Sequence, residues 1–280
     1  MVIRRYIAVG TALVTLGLGL GCQSPGKSYK ASDCALGKGG DCGIPGVVVG
    51  AGTGTGGTGG EGGGQGGAPA QAVDVNGTVA VVDTTTFDHL GVYTKKVTVV
   101  APTLGGTVEG STDGSSAGFS LKGVATGNQW FFARDDSGGG AGVLSTYSAH
   151  RVPSSSPLVV PVMDLQVLQT IAATQPSAIT IDGLAAQVVL LLRRQGSPAS
   201  GLTLTSSAFG GTVAYDQSAG VYSSAGAKKT GGSGVIVMLN VGAPVAGKDL
   251  DILLTDEANE TYAFSIPVAA GAATIALYEY

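Results

Sequence analysis

The sequence predicts an all-β fold of two tandem β-sandwich domains joined by one short helix. Three observations support this prediction: many short apolar runs are separated by turn residues, 48 of the 280 residues are glycine, and a single interval has a helical period. Short β-type runs at near-regular spacing are typical of sandwiches and barrels, whereas βαβ units alternate strands with helices. A glycine share well above the usual value of about 7% indicates low-complexity sequence and turn-rich β structure.

Residues 1–21 are predicted to be an export signal that ends at Cys22. Arg4 and Arg5 precede an uncharged, mostly apolar run that is too short for a stable membrane-spanning helix. A cysteine at this edge resembles the lipobox of bacterial lipoproteins, in which the cysteine is acylated and becomes the mature N-terminus. Gly19 stands where that pattern prefers leucine. The alternative is a secreted protein without lipid.

The lipoprotein resemblance implies a lipid anchor and an address in the cell envelope. Gly21 before the cysteine fits the pattern, and Gln23 follows it, where retention in the inner membrane of Gram-negative bacteria requires aspartate. The resemblance therefore implies that Cys22 carries the lipid and that the protein reaches the outer membrane of a Gram-negative bacterium. The expected partners are the membrane, through this lipid, and an envelope protein or glycan.

Residues 22–71 are predicted to form a flexible, Gly-rich tether. The stretch 50–67 has the sequence GAGTGTGGTGGEGGGQGG, which has almost no side chains to bury and cannot offset the entropy of ordering. Some fifty residues of flexible coil have a root-mean-square reach of roughly 40 Å. Cys34 and Cys42, near the root of the tether, either close a small disulfide loop in an oxidising compartment or remain free thiols.

The two predicted sandwiches occupy residues 72–163 and 177–280, each a normal size for a small β domain. Between them, residues 164–176 (DLQVLQTIAATQP) predict a short helix with Asp164 as N-cap and Pro176 as stop. Its apolar face contains Val167, Leu168, Ile171 and Ala172. The predicted strands are 79–82, 97–101, 119–121, 130–133, 143–147, 158–162, 178–181, 188–192, 202–205, 212–215, 235–239, 250–254, 262–266 and 274–278.

The two halves share a weak internal repeat. Residues 111–127 (STDGSSAGFSLKGVATG) and 228–244 (KKTGGSGVIVMLNVGAP) each place a threonine and a Gly/Ser turn before a strand and a second turn. This pattern resembles the signature of carboxypeptidase regulatory-like domains, which are small transthyretin-like β-sandwiches. The matching residues are Thr112, Gly118, Phe119, Leu121, Gly123, Val124 and Gly127.

The resemblance to carboxypeptidase regulatory-like domains covers most of residues 73–280. It implies a tandem arrangement and a strand whose alternate residues, Phe119 and Leu121, face the core, as the period of two requires. It also implies a structural or interaction module associated with the envelope, because these regulatory-like domains have no catalytic residues to transfer. We therefore predict that the chain is not an enzyme.

Several function classes are disfavoured by charge and by motif context. Without Arg4 and Arg5, the 15 basic residues fall to 13 against 19 acidic ones, so the formal net charge moves from −4 to −6 and no basic stripe remains for nucleic acid. The G-x-G-x-x-G spacing of Gly52, Gly54 and Gly57 continues as TGGEGGGQGG, which cannot form the helix that a dinucleotide site needs. We predict no cofactor.

A serine hydrolase is the alternative of another class. GSSAG places Ser116 in the nucleophile position of G-x-S-x-G, with His89 or His150 as the base. A strand, and not a helix, is predicted after this serine, so the context of a nucleophile elbow is missing. Both histidines lie in segments interpreted as exposed turns.

Metal binding has little support in the sequence. Neither histidine has a partner at ligand spacing, so we predict no metal site. The acidic residues Asp135 and Asp136, and a later group around Asp249 and Asp256, are interpreted as solvated turns. Weak calcium binding by the glycine-rich loop after Asp135 is the open alternative, since flexible glycines allow carbonyl oxygens to converge.

One dense aromatic group occurs in GNQWFFARDD. In a strand, Trp130 and Phe132 share one face and Phe131 points to the other. Either both faces are buried in a core, or one face forms a platform with Tyr147 on a nearby strand. Such a platform would bind a sugar ring or a partner peptide.

Overall fold

β-strands build nearly all of the fold. The computed structural model describes residues 71–87, 90–136, 142–153, 157–205, 210–226, 228–242 and 249–280. In these residues the all-β prediction with one short helix is confirmed. The elements are β1 (Ala72–Val82), β2 (Leu90–Val92), β3 (Val97–Thr103), β4 (Gly106–Ser111), β5 (Gly118–Ala125), β6 (Gly127–Asp135), β7 (Val143–Val152), β8 (Leu158–Asp164), α1 (Leu165–Ala173), β9 (Ala186–Arg194), β10 (Ser197–Pro198), β11 (Thr203–Leu204), β12 (Thr212–Ser218), β13 (Val221–Ser223), β14 (Val235–Val241), β15 (Leu250–Thr255), β16 (Thr261–Ile266) and β17 (Ala272–Glu279).

Six strands of the first half close a ring around a core of their own. β1 pairs with β5 and β8, β6 lies between β3 and β7, and short pairings of β5 with β3 and of β7 with β8 complete the circuit. Alternate residues of these strands point inward. The interior side chains are Val79, Val97, Val99, Ala101, Phe119, Leu121, Val124, Phe131, Ala133, Val152, Leu158, Val160 and Val162.

The predicted alternation along β5 is confirmed. Phe119 and Leu121 are buried in the ring, while Ser120 and Lys122 between and after them are exposed. The turn residues of the repeat therefore start a strand with one buried face, as the sequence indicated.

The central sheet of the second half is buried on both faces. β9 and β14 are almost continuous apolar runs, AQVVLLLRR and VIVMLNV, a pattern typical of strands covered on two sides. One face packs against β15 and β16 of a separate three-stranded sheet, with Leu190, Met238 and Ile252 in the interface. The other face packs against α1 through residues such as Val189 and Leu168. The second half thus has three layers.

β17 joins the two halves. It pairs in parallel with β9 along one edge and with β7, from Ala272 to Ile275, along the other. The 14-stranded sheet therefore runs through both halves. This arrangement differs from the two separate sandwiches expected from the sequence, because pairing with β7 satisfies the backbone groups of an edge that would otherwise be open.

The short helix predicted between the halves is confirmed as α1. The Asp164 carboxylate accepts a hydrogen bond from the Gln166 backbone N–H at 2.8 Å, which caps the N-terminus. The helix ends at Ala173, with Thr174 as its C-cap two residues before Pro176, and all four predicted apolar side chains are buried. None of the described segments has the length and apolar character of a membrane-spanning helix.

The strand predicted at residues 178–181 is wrong. This segment has no ladder partner in the described structure, and Ile179 and Ile181 pack against the same cluster as α1. The Ile179 N–H donates to the Ala172 carbonyl at the end of the helix, 3.3 Å away. Here an alternating apolar pattern is used to cover the helix end, and not to form a strand.

Candidate functional site

Two aromatic side chains from neighbouring strands stack on the outer face of the ring. The register of β6 and β7 sets Phe132 opposite Tyr147, and their ring centroids are 4.3 Å apart with 29° between the ring planes. Both side chains are partly exposed. Neither belongs to the three hydrophobic clusters found in the described residues. The structure thus brings together two of the three side chains that the sequence proposed as a platform.

Trp130 lies on the same face, two residues before Phe132. It is opposite Ala149 on β7 and is partly buried against the core of the second half. Phe131 points the other way and is fully buried in the ring, so the predicted division of this aromatic run between two faces is confirmed. We call Trp130, Phe132 and Tyr147 the aromatic face.

Two acidic residues, Asp249 and Asp251, lie at the start of β15. Burial and the negative charge of Asp249 both raise the pKa of the Tyr147 hydroxyl. The pKa of Asp249 is itself raised by burial and by neighbouring Asp251. Asp251 accepts a hydrogen bond from the Ser265 hydroxyl at 2.6 Å. Asp249 has no hydrogen-bond or ion-pair partner among the described residues.

An ion pair borders one end of the stacked pair. Arg134 is the next outward residue of β6, and its guanidinium lies 3.8 Å from Glu109 and 3.2 Å from Asp136. Asp136 also accepts a hydrogen bond from the Thr98 hydroxyl, and Asp135 accepts one from the Tyr93 hydroxyl at 3.4 Å. These carboxylates are therefore already engaged by protein donors.

No group of three or more His, Cys, Asp or Glu side chains suited to a metal occurs in the part of the chain that the structure describes. Three of the glycines on which the calcium alternative depended, at positions 138–140, lie outside the described residues. In the later acidic group, Asp256 closes its own turn by accepting from the backbone N–H groups of Ala258 and Glu260, both at 2.9 Å. Glu257 pairs with Lys229 at 2.7 Å on the surface.

Ser116 lies in an exposed turn before β5. The Asp113 carboxylate accepts hydrogen bonds from the backbone N–H groups of Ser115 and Ser116, at 2.8 and 2.6 Å, which lower its pKa to about 2. The element after this turn is a strand, as predicted, and not the helix of a nucleophile elbow. His89, one of the two bases considered, lies outside the described residues.

His150 lies on strand β7, so its interpretation as a residue of an exposed turn is wrong. The strand continues to Val152, and its alternation turns His150 inward. The imidazole Nε2 is 2.8 Å from the Ser148 hydroxyl oxygen, and the ring meets Phe131 edge-on with centroids 5.4 Å apart. Burial lowers the pKa of His150 to about 4, so the ring is neutral at neutral pH. Its polar contact is with Ser148.

A second aromatic cluster was not found by sequence reasoning. Tyr262 stacks near Tyr280 and Phe264 near Tyr278, each pair with ring centroids 4.4 Å apart, and Arg194 lies over the Tyr280 ring at 5.4 Å. The signal in the sequence was the spacing of two residues between the aromatics of YAF and between those of YEY. This spacing places Tyr262 and Phe264 on one face of their strand, and Tyr278 and Tyr280 on one face of theirs. The cluster closes the end of the second-half core.

A buried carboxylate was also missed. Asp216 is fully buried on β12 and accepts hydrogen bonds from the backbone N–H groups of Gly231, Ser233 and Val235, at 2.8, 2.7 and 3.1 Å. It holds the KTGGSG loop against the sheet. Its role is structural, since two of the donors are backbone groups of that loop and the third, Val235, begins β14.

The sites predicted near the N-terminus lie outside the described residues. These are the lipidation site Cys22, the cysteines Cys34 and Cys42, and the whole Gly-rich tether. The structure therefore leaves the lipid anchor and the disulfide as predictions.

Comparison with known proteins finds distant similarity to solved structures. No protein-family model matches the chain, and no curated protein matches it. A streptococcal ancillary pilin is similar over 74% of this chain and 69% of the pilin chain, with 9% sequence identity and a TM-score of 0.19. A TM-score this low carries no argument about function. The resemblance to carboxypeptidase regulatory-like domains stays a prediction.

Proposed function

We propose that this chain is a lipid-anchored, non-catalytic structural or interaction module of the cell envelope. The observation that carries the proposal is the leader: two arginines, a short apolar run and Cys22 at its end are the pattern of a bacterial lipoprotein. Gln23 favours the outer membrane of a Gram-negative bacterium as destination. The Gly-rich tether would hold the β-strand region some tens of ångströms from the anchor.

The resemblance to transthyretin-like domains belongs to this proposal. In the second half, two β-sheets pack face to face through a large apolar core, which agrees with a sandwich of that kind. The Thr-Gly-Ser turns of the repeat lead into β5, which has one buried face, and into β14, which is buried on both faces. A rigid β framework of this kind serves to display a surface at a distance from the membrane.

The lipid anchor is tested by substitution of Cys22. The full-length chain should incorporate labelled palmitate and fractionate with membranes, and Cys22→Ala should lose the label and become soluble or remain unprocessed. Cys34→Ala and Cys42→Ala are the matched controls and should keep both properties. Unchanged labelling and membrane fractionation of Cys22→Ala would overturn the proposal.

The non-catalytic part of the proposal is tested with Ser116. We expect the purified chain to hydrolyse a small activated ester no faster than Ser116→Ala does. A turnover that disappears in Ser116→Ala, while the circular dichroism spectrum stays unchanged, would instead support the hydrolase alternative.

A further inference from the structure

Two asparagines of this chain lie in the acceptor sequence for N-linked glycosylation, which is Asn-x-Ser/Thr with any residue except proline at x. Asn76 and Asn259 occur in the sequences DVNGT and EANET, with Thr78 and Thr261 at the required position. The other asparagines of the chain have no serine or threonine there. Both sequences also begin with an acidic residue, so they are matched, and the fold must decide which of them can be an acceptor.

Asn259 lies in the turn that connects β15 to β16. The two strands pair as far as Thr255 opposite Thr261, so residues 256–260 form the turn. The Asn259 N–H donates to the Asp256 carbonyl at 3.0 Å, which fixes its backbone. Its φ of 62° is left-handed, a conformation that asparagine adopts more readily than most residues. The side chain is exposed, and its carboxamide has no hydrogen-bond partner among the described residues, so modification breaks no contact.

The threonine of this acceptor sequence is also accessible. Thr261 is partly exposed and begins β16, the last strand of its three-stranded sheet, whose edge away from β15 has no ladder partner in the described structure. The Thr261 hydroxyl makes no hydrogen bond within the same part of the chain. A transferase must bind the whole Asn-x-Thr segment, and surface turns are the segments of a folded protein that are free to be bound. The turn at Asn259 meets this requirement.

Asn76 lies inside a paired strand and does not meet it. Its side chain is exposed, but the residue is opposite Ser120 of β5 in the ladder. The next residue, Gly77, is paired on both sides, with β5 and with β8. The segment can therefore enter a transferase only if β1 leaves the ring, so exposure of the Asn76 side chain does not make it an acceptor in the folded protein.

We propose that Asn259 is N-glycosylated in the cell envelope and that Asn76 is not. The donor is an oligosaccharide whose anomeric carbon is bonded to a polyprenyl diphosphate, and an oligosaccharyltransferase of the envelope catalyses the transfer. The Asn259 Nδ2 forms a bond to the anomeric carbon while the bond from that carbon to the diphosphate oxygen breaks. The electron pair leaves with the polyprenyl diphosphate, and one Nδ2 proton passes to a base of the transferase.

Mass spectrometry of two tryptic peptides tests this assignment. The protein is purified from the membranes of the organism that produces it and is digested with trypsin. Cleavage at lysines gives peptides 249–280 and 39–95, which contain Asn259 and Asn76 as their only asparagines. We expect peptide 249–280 to carry a glycan that fragmentation places on Asn259, and peptide 39–95 to carry none on Asn76. An unglycosylated peptide 249–280, or a glycan on Asn76, would overturn the proposal.

Four variants separate an N-linked glycan from a sugar on a hydroxyl. Asn259→Asp keeps a residue type that tolerates the left-handed backbone and should lose the glycan. Thr261→Val should lose it with Asn259 intact, whereas Thr261→Ser keeps the hydroxyl and should retain it. Asn76→Asp is the matched control and should leave the glycan on peptide 249–280 unchanged. Circular dichroism verifies that each variant is folded, and a glycan that persists in Asn259→Asp would show attachment to a hydroxyl and contradict the proposal.

This inference rests on one part of the proposed function, export to the envelope, and does not require the lipid on Cys22. The two can therefore fail separately. A protein that carries palmitate on Cys22 but no glycan on Asn259 would retain the proposed function and lose this inference. A protein with the glycan but without palmitate would retain this inference and lose the lipid anchor.

Discussion

Thr230 makes in the second half the same three hydrogen bonds that Thr112 makes in the first. The Thr112 N–H donates to the Val97 carbonyl at 2.9 Å, and its hydroxyl accepts from the Val97 N–H at 3.0 Å and donates to the Lys95 carbonyl at 3.1 Å. The Thr230 N–H donates to the Leu202 carbonyl at 2.8 Å. Its hydroxyl accepts from the Leu202 N–H at 3.0 Å and donates to the Ala199 carbonyl at 2.8 Å.

Each threonine therefore fastens a turn to an earlier segment of its own half. Both side chains are 2% exposed, so water cannot replace the bonds. The sequence repeat at these two positions extends to hydrogen bonding, which is stronger evidence for related halves than the glycine and serine spacing on its own.

Removal of either hydroxyl should destabilise the fold by a similar amount. Thr112→Val and Thr230→Val keep the shape of the side chain but leave the buried N–H of Val97 or of Leu202 without its partner, which costs about 1–3 kcal/mol. Denaturant unfolding gives the free energy. Thr112→Ser and Thr230→Ser keep the hydroxyl and should lose less. Valine variants as stable as the parent would contradict the assignment of these bonds.

Asp216→Asn should be among the most destabilising polar substitutions in the chain. The asparagine side chain keeps one acceptor oxygen and turns an NH₂ group toward N–H donors of the loop, so at least one buried donor loses its partner. We expect a loss of about 2–4 kcal/mol, the range for breaking charge-assisted buried bonds. The free energy of unfolding measures it.

Asp113→Asn is the matched control for Asp216→Asn. Its carboxylate also accepts two backbone N–H bonds, but it is exposed, so water can satisfy the donors and little stability should be lost. Equal effects of the two substitutions would show that burial of Asp216 does not set its contribution.

The sequence predicted the local structure well where one physical pattern acts alone. α1 has a cap, an apolar face and a proline stop that agree, and β9 and β14 have the continuous apolar runs of strands buried on both sides. Residues 178–181 were wrongly predicted because alternation indicates which side chains are buried and does not indicate what backbone pairing they have. His150 was misplaced because its segment, SAHRVP, was interpreted as an exposed turn, whereas β7 continues to Val152.

The joining of the halves could not be predicted from local patterns. The pairing of Ala272 with Ser145 connects residues far apart in the chain, and neither strand carries a sequence mark of its partner. The stacking of Phe132 on Tyr147 depends in the same way on the register of two strands. The sequence could suggest that Phe132 and Tyr147 both point away from the core of the first half. Only the register of β6 and β7 shows that they lie opposite each other.

Gly77 should tolerate no side chain, because two strands approach it closely. A Cβ atom at this position would lie 2.5 Å from the Leu158 carbonyl oxygen and 2.6 Å from the Phe119 ring. Gly77→Ala should therefore lower the free energy of unfolding by about 1–3 kcal/mol, because either β8 or the Phe119 side chain must move. Gly105→Ala, with nothing within 4 Å of the new atom, is the control and should be neutral in thermal unfolding. Equal melting temperatures of the two variants would contradict the tight packing at Gly77.

His150 should make the fold less stable in mild acid. Its pKa is lowered by burial to about 4 in the folded state, against about 6.5 in the unfolded chain. Between these values the unfolded state binds a proton that the folded state excludes, so stability is full above pH 6.5 and falls as the pH drops toward 4. A shift of this size corresponds to a loss on the order of 3 kcal/mol.

The pH effect is isolated by comparison with His150→Gln, which cannot take up a proton in this range. The free energy of unfolding of both proteins is measured from pH 7.5 to pH 4. Titration of the acidic residues is common to both, so the difference between the two curves reports on His150. The parent protein should lose stability relative to the variant below pH 6.5, because the imidazolium formed on unfolding has no counterpart in glutamine. If the two stability curves are parallel, the His150 imidazole takes up a proton in the folded protein as well, and its contact with Phe131 does not shield it.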